Sequence, residues 1–115
     1  MVACEYVPDS GDLIWLDFTP QAAREQAGRR PAVVLSPRSC NEKTSLAVVC
    51  PVTSLVKGYP FEVSLPAGSR IRGAILCDHL KNLDWRHRQA EKAGKIPRSV
   101  LEQVRARVAA LLEIS

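Results

Sequence analysis

The fold is decided by two apolar runs, Ala32-Val33-Val34-Leu35 and Leu46-Ala47-Val48-Val49-Cys50. Both runs are rich in β-branched residues and too short to form independent helices, so they predict buried strands. Each run is followed by proline, in Ser36-Pro37 and Pro51-Val52-Thr53. The polar residues 38–45 between the runs have room for one turn of helix.

Three further segments outside this centre also have strand character. Residues 12–18 alternate in part and stop before Pro20, whereas residues 61–65 alternate cleanly with the odd-numbered members toward the core. Residues 73–77 form another short apolar run. With so many short strands between Pro and Gly residues, the sequence predicts a small curled antiparallel sheet or barrel.

The C-terminal segment has a different period. Val104, Val108 and Leu111 recur at the three- and four-residue spacing of an amphipathic helix. Two starts are possible, because Pro97 suits a first helical position while Ser99 has capping-box spacing with a later glutamate. The predicted fold class is therefore mainly β (α+β), with a C-terminal amphipathic helix covering the sheet.

Length and composition indicate one small globular domain, spanning residues 1–115. The chain is 46% hydrophobic and 24% charged, and its longest apolar stretch, residues 46–52, is far shorter than the roughly 20 residues of a membrane helix. The first residues lack the basic and apolar regions of a secretory signal. We therefore expect no membrane association and a cytoplasmic location.

The net charge of +4 is concentrated in the second half of the chain. Residues 70–115 carry ten bases and five acids, net +5, whereas residues 1–69 carry six bases and seven acids, net −1. A basic half indicates an anionic partner, although solvated surfaces are often charged to this extent.

The cysteines do not have metal-site spacing. Cys4, Cys40, Cys50 and Cys77 include no Cys-x-x-Cys pair, and only two histidines are present to complete a zinc site. Reduced, buried thiols are favoured over disulfides, since Cys50 and Cys77 lie in apolar runs. The sequence therefore predicts no metal and no cofactor.

The densest polar cluster is the loop at residues 24–31, which holds one carboxylate and three arginines around Gly28. Such a loop can bind a phosphodiester while keeping an acid or base within reach, but it can equally be a solvated turn with local ion pairs. Pro31 favours the first interpretation, because it fixes Arg30 at the mouth of the following strand.

Other candidates are weaker when taken alone. Thr53 ends a buried strand, where a hydroxyl commonly bonds turn backbone. His79 and His87 could form an acid–base pair as in paired-histidine ribonucleases, but neither has an evident partner in the sequence.

An ordered set of segments is more informative than any one of them. The set is Gly11-Asp12-Leu13-Ile14-Trp15-Leu16-Asp17-Phe18, Glu25-Gln26-Ala27-Gly28-Arg29-Arg30-Pro31-Ala32-Val33-Val34-Leu35, Asn41, Pro51-Val52-Thr53-Ser54, Lys57-Gly58-Tyr59-Pro60-Phe61-Glu62-Val63 and Leu83-Asp84-Trp85-Arg86. From about Tyr6 to Leu112 the chain closely resembles the MazF (PemK-like) toxins of toxin–antitoxin modules.

This resemblance implies a metal-independent, sequence-specific endoribonuclease that cleaves single-stranded mRNA and stops translation. It also implies an SH3-like β-barrel with helical additions, a homodimer and a cognate antitoxin protein as partner. The resemblance places a catalytic arginine at Arg30 and a catalytic threonine at Thr53, with Glu25 also in the active site.

Binding of unpaired bases requires hydrogen-bonding and stacking groups around the cleaved bond. The residues expected to line the RNA groove are Gln26, Asn41, Lys57, Asp78, His79 and Lys81. The aromatic residues Trp15, Phe18 and Phe61 are expected in the core because of their strand positions.

The sequence departs from many members of the family at two places. Ala23-Arg24 stands where many relatives have Gly-Ser, and Asp78-His79 stands where many have Asp-Gln or Glu-Gln. Both changes bear on which RNA sequence is cut. Two alternatives remain at this point: a non-enzymatic toxin like CcdB that acts by protein contact, and a simple nucleic-acid-binding barrel.

Overall fold

The computed structural model describes residues 6–18 and 28–114. Two of the candidate site residues, Glu25 and Gln26, lie outside these ranges, as does Cys4. The elements are β1 (Asp12–Asp17), β2 (Arg29–Val34), α1 (Arg38–Thr44), β3 (Leu46–Thr53), β4 (Glu62–Ser64), β5 (Ala74–Leu76), a 3₁₀ turn (Cys77–His79), β6 (Lys81–Asp84), β7 (Glu91–Lys95) and α2 (Arg98–Leu112).

The sheet is antiparallel and is built around β3. Its strand order is β4-β5-β3-β2-β1-β7, with β6 also paired to β3. One edge of β3 pairs with β2, and the other edge pairs with β6 over its first half and with β5 at its last two residues. Within the described ranges, β4 and β7 each pair with one neighbour, so the sheet is open. A mainly β chain with an antiparallel sheet and a C-terminal helix is confirmed, and over the described residues this sheet is open.

Strand β3 continues through Pro51, although a proline has no N–H to give to a ladder. The Leu35 N–H donates to the Val48 carbonyl at 2.8 Å, so the alternating bonds to β2 bypass Pro51, which lies opposite Ala32. The nitrogen of Pro51 therefore points to the opposite edge of β3. On that edge the pairing with β6 ends at Val49 and the pairing with β5 begins at Val52, so Pro51 lies between the two.

Both faces of the sheet are buried, which explains the continuous apolar runs in the sequence. Alternate residues go to opposite cores, as Leu13 and Val33 do relative to Ile14 and Val34. The first core lies beneath α2 and includes Val100, Leu101 and Val104. The second core includes Trp85 and also Val7, which lies in the N-terminal arm, the described residues 6–11 that precede β1.

Helix α2 begins one residue after Pro97, which is its N-cap and carries no capping side chain. Both predicted starts are therefore wrong: Pro97 precedes the helix, and Ser99 lies inside its first turn. The Pro97 carbonyl accepts the N–H groups of Val100 and Leu101, each at 3.0 Å.

Strands β6 and β7 were not predicted from the sequence. Their residues, Lys81–Asp84 and Glu91–Lys95, are largely polar and mostly exposed or half-buried. Only pairing with β3 and β1, distant in sequence, makes them strands. When a segment becomes a strand only through its neighbours in the sheet, its own sequence shows little of the apolar alternation that predicts a strand.

The N-terminus of α1 is capped from outside the helix. Pro37 at the N-cap has no side-chain cap, and the Asp9 carboxylate accepts the Arg38 N–H at 2.9 Å. The same oxygen accepts the Ser10 N–H at 2.9 Å. The bond from the Arg38 amide is the main reason why the pKa of Asp9 is lowered.

We expect Asp9→Ala to lower the free energy of unfolding by about 1 kcal/mol at pH 7, the usual effect of losing a cap. Because the folded-state pKa of Asp9 is lowered, its carboxylate stabilises fully above the unfolded pKa of about 3.9. This contribution is lost as the pH falls through the folded pKa. Urea unfolding between pH 7 and pH 2 tests this, with Asp9→Asn as a control that keeps an acceptor but cannot titrate; a pH-independent gap between wild type and Asp9→Asn would contradict it.

A second prediction concerns Gly73, which lies against the end of β3. A Cβ built there would lie 2.0 Å from the Thr53 carbonyl oxygen, and the φ of Gly73 is +134°. We expect Gly73→Ala to cost about 3 kcal/mol from backbone strain and displacement of β3. Gly68→Ala is the matched control, because Gly68 has φ +89° but nothing within 4 Å, so it should cost only about 1 kcal/mol. Equal losses in thermal or urea unfolding would show that the contact with Thr53 is unimportant.

Candidate active site

A groove of about 760 Å³ opens where β3 leaves the sheet. It is bounded by the ends of β2 and β3, the loop of residues 54–61, the 3₁₀ turn and the start of β6. Its lining residues are Phe18, Arg30, Pro51, Val52, Thr53, Leu55, Lys57, Tyr59, Glu62, Leu76, Asp78, His79, Lys81, Leu83 and Arg88.

The two adjacent arginines of β2 have different surroundings. The Arg29 guanidinium donates to the Asp17 carboxylate at 2.8 Å and lies 3.2 Å from the Glu91 carboxylate. Burial alone would lower the pKa of Arg29, but the hydrogen bonds that it donates to these two carboxylates raise it. Because successive side chains on a strand point to opposite faces, Arg30 is directed away from this ion pair and into the groove.

Arg30 is exposed, and no hydrogen bond or ion pair of its guanidinium is found within residues 6–18 and 28–114. Pro31 follows it and pairs with Trp15 of β1, while Arg30 itself lies opposite Leu16. Its backbone is therefore held by the sheet while its guanidinium can bind an anion.

Thr53 is the last residue of β3. Ala32 lies opposite Pro51, and continuing this register by two residues brings Arg30 opposite Thr53 on the same face of the sheet. The Thr53 hydroxyl oxygen accepts the Leu55 N–H at 3.1 Å. Its own O–H can therefore donate to a ligand while the acceptor bond fixes its position.

The 3₁₀ turn contributes Asp78 and His79 to the groove. The His79 Nε2 atom lies 4.0 Å from the nearer Asp78 oxygen, and both side chains are almost half exposed. Cys77, which precedes them, is buried and donates its N–H to the Phe61 carbonyl at 3.0 Å. The turn is thereby tied to the loop on the opposite wall.

That wall is the loop of residues 54–61. The Lys57 ammonium lies 5.8 Å from the centre of the Tyr59 ring. The Glu62 carboxylate accepts the Lys57 N–H at 3.1 Å and the Gly58 N–H at 2.8 Å. The loop is therefore fixed by bonds to its own backbone.

Six of the nine predicted site residues share this groove: Arg30, Thr53, Lys57, Asp78, His79 and Lys81. Glu25 and Gln26 lie outside the described residues. The ends of their segment are close to the site, because Phe18 lines the groove and its N–H donates to the Gly28 carbonyl at 2.7 Å.

The prediction that Asn41 lines the groove is wrong. Asn41 is fully buried, and its amide donates to the carbonyls of Pro8 and Ser36, each at 2.9 Å. Its side-chain oxygen accepts the Ser36 hydroxyl at 2.6 Å, and its own carbonyl accepts the Trp85 indole N–H at 2.9 Å. Asn41 therefore joins the N-terminal arm, α1 and the second core.

Among the expected core aromatics, Phe18 is 4% exposed and forms part of the groove floor. Phe61 is half-buried against the first core, whereas Trp15 is only partly buried and belongs to neither core. His87 is exposed in a turn and does not line the groove. The paired-histidine arrangement is therefore not formed.

Sequence reasoning missed several groove residues, chiefly Arg88, Tyr59 and Glu62. The Arg88 guanidinium donates to the Asp17 carbonyl at 2.9 Å, which holds it at the end of β1. The turn Lys57-Gly58-Tyr59-Pro60 could have indicated that Tyr59 is exposed at a binding surface, because an aromatic residue in a polar turn does not reach the core. Arg88 gave no such signal.

The described thiols are free at Cys40, Cys50 and Cys77. Burial raises the pKa of Cys50 to about 12 and that of Cys77 to about 11, so both are unreactive core residues. Cys40 is exposed on α1, which corrects the expectation that it is buried. In the described part of the chain, no three His, Cys, Asp or Glu residues cluster as metal ligands. None of the helices in the described ranges has both the length and the apolar character of a membrane-spanning segment.

The chain is similar to known proteins over nearly its whole length. The family model for the PemK-like, MazF-like toxin of type II toxin–antitoxin systems matches residues 9–112. The endoribonuclease toxin MazF of Escherichia coli K12 is 48% identical over 107 residues, which cover 93% of this chain and 96% of that protein. The endoribonuclease PemK of E. coli is 34% identical over 86% of this chain and 78% of that protein.

Solved structures show the same relationship. A crystal structure of MazF from Deinococcus radiodurans has a TM-score of 0.90 and 55% identity, covering 96% of this chain and all of that one. A MazE–MazF crystal structure from the same organism has a TM-score of 0.88 and 50% identity over the same shares. By this family match and these identities, the chain belongs to the PemK-like, MazF-like toxins of type II toxin–antitoxin systems.

Proposed function

We propose that the groove cleaves single-stranded mRNA by attack of a ribose 2′-hydroxyl on the adjacent phosphorus, without a metal ion. The products would be a 2′,3′-cyclic phosphate and a 5′-hydroxyl, and loss of mRNA would stop translation. Family membership and 48% identity to an endoribonuclease over 93% of the chain make this protein an endoribonuclease toxin. The substrate, the chemistry and the residue roles are our proposal.

The observation that carries the proposal is that Arg30 and Thr53 line one groove. In-line attack builds negative charge on the phosphorane, and a preorganised guanidinium stabilises such charge. Arg30 supplies this group, since its neighbour Arg29 takes the nearby carboxylates. The Thr53 hydroxyl donates to a phosphoryl oxygen.

The 2′-hydroxyl must also lose a proton. An arginine guanidinium keeps its proton at neutral pH, so it is a poor general base. We assign this role to Glu25, whose segment begins and ends at the hydrogen-bonded pair Phe18 and Gly28 beside the groove. The 5′-oxygen gains a proton as its bond to phosphorus breaks, either from the Glu25 carboxyl protonated in the first transfer or from water. Gln26 of the same segment, together with Lys57, Asp78, His79 and Lys81, would contact the bases and phosphates.

We also propose that the protein works in the cytoplasm as a homodimer that a cognate antitoxin inhibits. Solved relatives include MazE–MazF complexes. The net charge of +5 on residues 70–115 suits an acidic antitoxin as well as RNA. A dimer would join two basic faces into one groove long enough for single-stranded RNA.

We expect the protein to cut a long single-stranded RNA into discrete fragments in the presence of EDTA. Arg30→Ala should lower kcat/KM by about 100- to 1,000-fold, as loss of an oxyanion-stabilising group does. Thr53→Ala should lower it by about 10- to 100-fold, and Thr53→Ser should retain most activity because the hydroxyl remains.

Arg98→Ala is the matched control for charge, because Arg98 is exposed on α2 and does not line the groove. Its activity should be unchanged. Full activity of both Arg30→Ala and Thr53→Ala would refute the site. Intact RNA at high concentrations of wild-type protein would instead favour a toxin that acts by protein contact.

Light scattering after size-exclusion chromatography should give twice the mass of the chain. Adding an acidic antitoxin encoded beside the gene should suppress RNA cleavage at a stoichiometric amount. A monomeric mass at micromolar concentration would contradict the proposed homodimer, and undiminished cleavage in a formed complex would contradict inhibition.

A further inference from the structure

The loop of residues 54–61 exposes apolar side chains at the edge of the groove. Leu55 is 66% exposed, Val56 52% and Tyr59 58%. Leu55 and Tyr59 line the groove, whereas Val56 does not. Large apolar groups held in water at a binding site commonly mark a contact surface.

The first anchor of this loop is Glu62, the first residue of β4. Its Oε1 atom accepts the Lys57 N–H at 3.1 Å and the Gly58 N–H at 2.8 Å. Its own backbone N–H donates to the Tyr59 carbonyl at 3.0 Å. Gly58 has φ +78°, a conformation that turns its N–H inward and that other residues rarely adopt. The backbone on both sides of Tyr59 is therefore fixed.

The second anchor is Arg107 of α2. Arg107 is half-buried, and its Nε donates to the Pro60 carbonyl at 2.9 Å. The Phe61 carbonyl accepts the Cys77 N–H at 3.0 Å, so the loop end also contacts the opposite wall.

These anchors hold an exposed ring beside a cation. The Lys57 ammonium lies 5.8 Å from the centre of the Tyr59 ring, and both residues line the groove that contains Arg30 and Thr53. Phe18, the other Phe, Tyr or Trp residue in the described lining, is 4% exposed. Tyr59 therefore presents the larger free aromatic surface in the groove.

We infer that Tyr59 and Lys57 form a nucleotide subsite, in which the ring stacks on an unpaired base and the ammonium binds a neighbouring phosphate, and that Glu62 is its positioning residue. This inference rests on the proposed function, because it takes RNA as the occupant of the groove. Base stacking on aromatic side chains tolerates any base, so the subsite adds affinity rather than sequence choice. A protein segment is the alternative occupant, but Arg30 and Thr53 in the same groove favour RNA.

The first test measures binding of a fluorescent single-stranded RNA to variants in an Arg30→Ala background, where cleavage is about 100- to 1,000-fold slower. Tyr59→Leu should weaken binding roughly 5- to 150-fold, the effect of losing one stacked base, and Tyr59→Phe should stay close to the parent. Val56→Ala is the control for loop exposure and should have no effect. Lys57→Gln should weaken binding and reduce its dependence on salt by about one phosphate contact.

The second test separates positioning from general stability. In the active protein, Glu62→Ala should raise KM to a similar extent as Tyr59→Leu while kcat at saturation stays near wild type, and Glu62→Gln should restore part of the loss. The KM of the double variant Tyr59→Leu/Glu62→Ala should be no higher than that of the more impaired single variant, since both substitutions act through the same ring. Additive losses, or a fall in kcat alone, would overturn the role of Glu62.

The outcomes distinguish this inference from the proposed nuclease activity. If Tyr59→Leu weakens RNA binding but wild type cuts no RNA, the subsite stands and the nuclease proposal fails. If wild type cuts RNA and Tyr59→Leu binds and cuts normally, the subsite is refuted. Unchanged RNA binding with weakened antitoxin binding would identify the ring as a protein contact and would also refute it.

Discussion

The constraint on which the structure depends is that β3 has neighbours on both edges and apolar cores on both faces. Its first half pairs with β6, its middle with β2 and its last two residues with β5. Because strands pair with both of its edges, β3 cannot shift its register without breaking several ladders at once. Thr53, at its end, inherits this rigidity while its side chain reaches the groove.

Because side chains alternate along β2, its two adjacent arginines lie on opposite faces of the sheet: Arg29 has a structural role and Arg30 is the catalytic candidate. Arg29 joins Asp17 and Glu91, which stabilises the β1, β2 and β7 ends of the sheet. Arg30 points to the other face and lines the groove together with Thr53. One residue of displacement in register would exchange these two environments, so the accuracy of strand pairing directly determines the charge in the groove.

Much of the fold could be predicted from local sequence, because the central strands are continuous apolar runs. Strands β6 and β7 could not, since their residues are polar and their pairing is with distant strands. At the site, the six residues that share the groove came from motifs on different elements, and the resemblance to a family grouped them. The prediction for Asn41 failed because a polar residue between two strands is normally exposed. Nothing in the local sequence shows that its side chain is buried by hydrogen bonding to Pro8 and Ser36.

The hydrogen bond from Phe18 to the Gly28 carbonyl has an evolutionary consequence. It closes the β1–β2 connection immediately beyond the last sheet pair, Asp17 with Arg29. The pairing of β1 with β2 therefore does not depend on which residues stand at positions 19–27. The sequence of that segment can diverge while the register of β1 and β2, and with it the backbone position of Arg30 opposite Leu16, is kept.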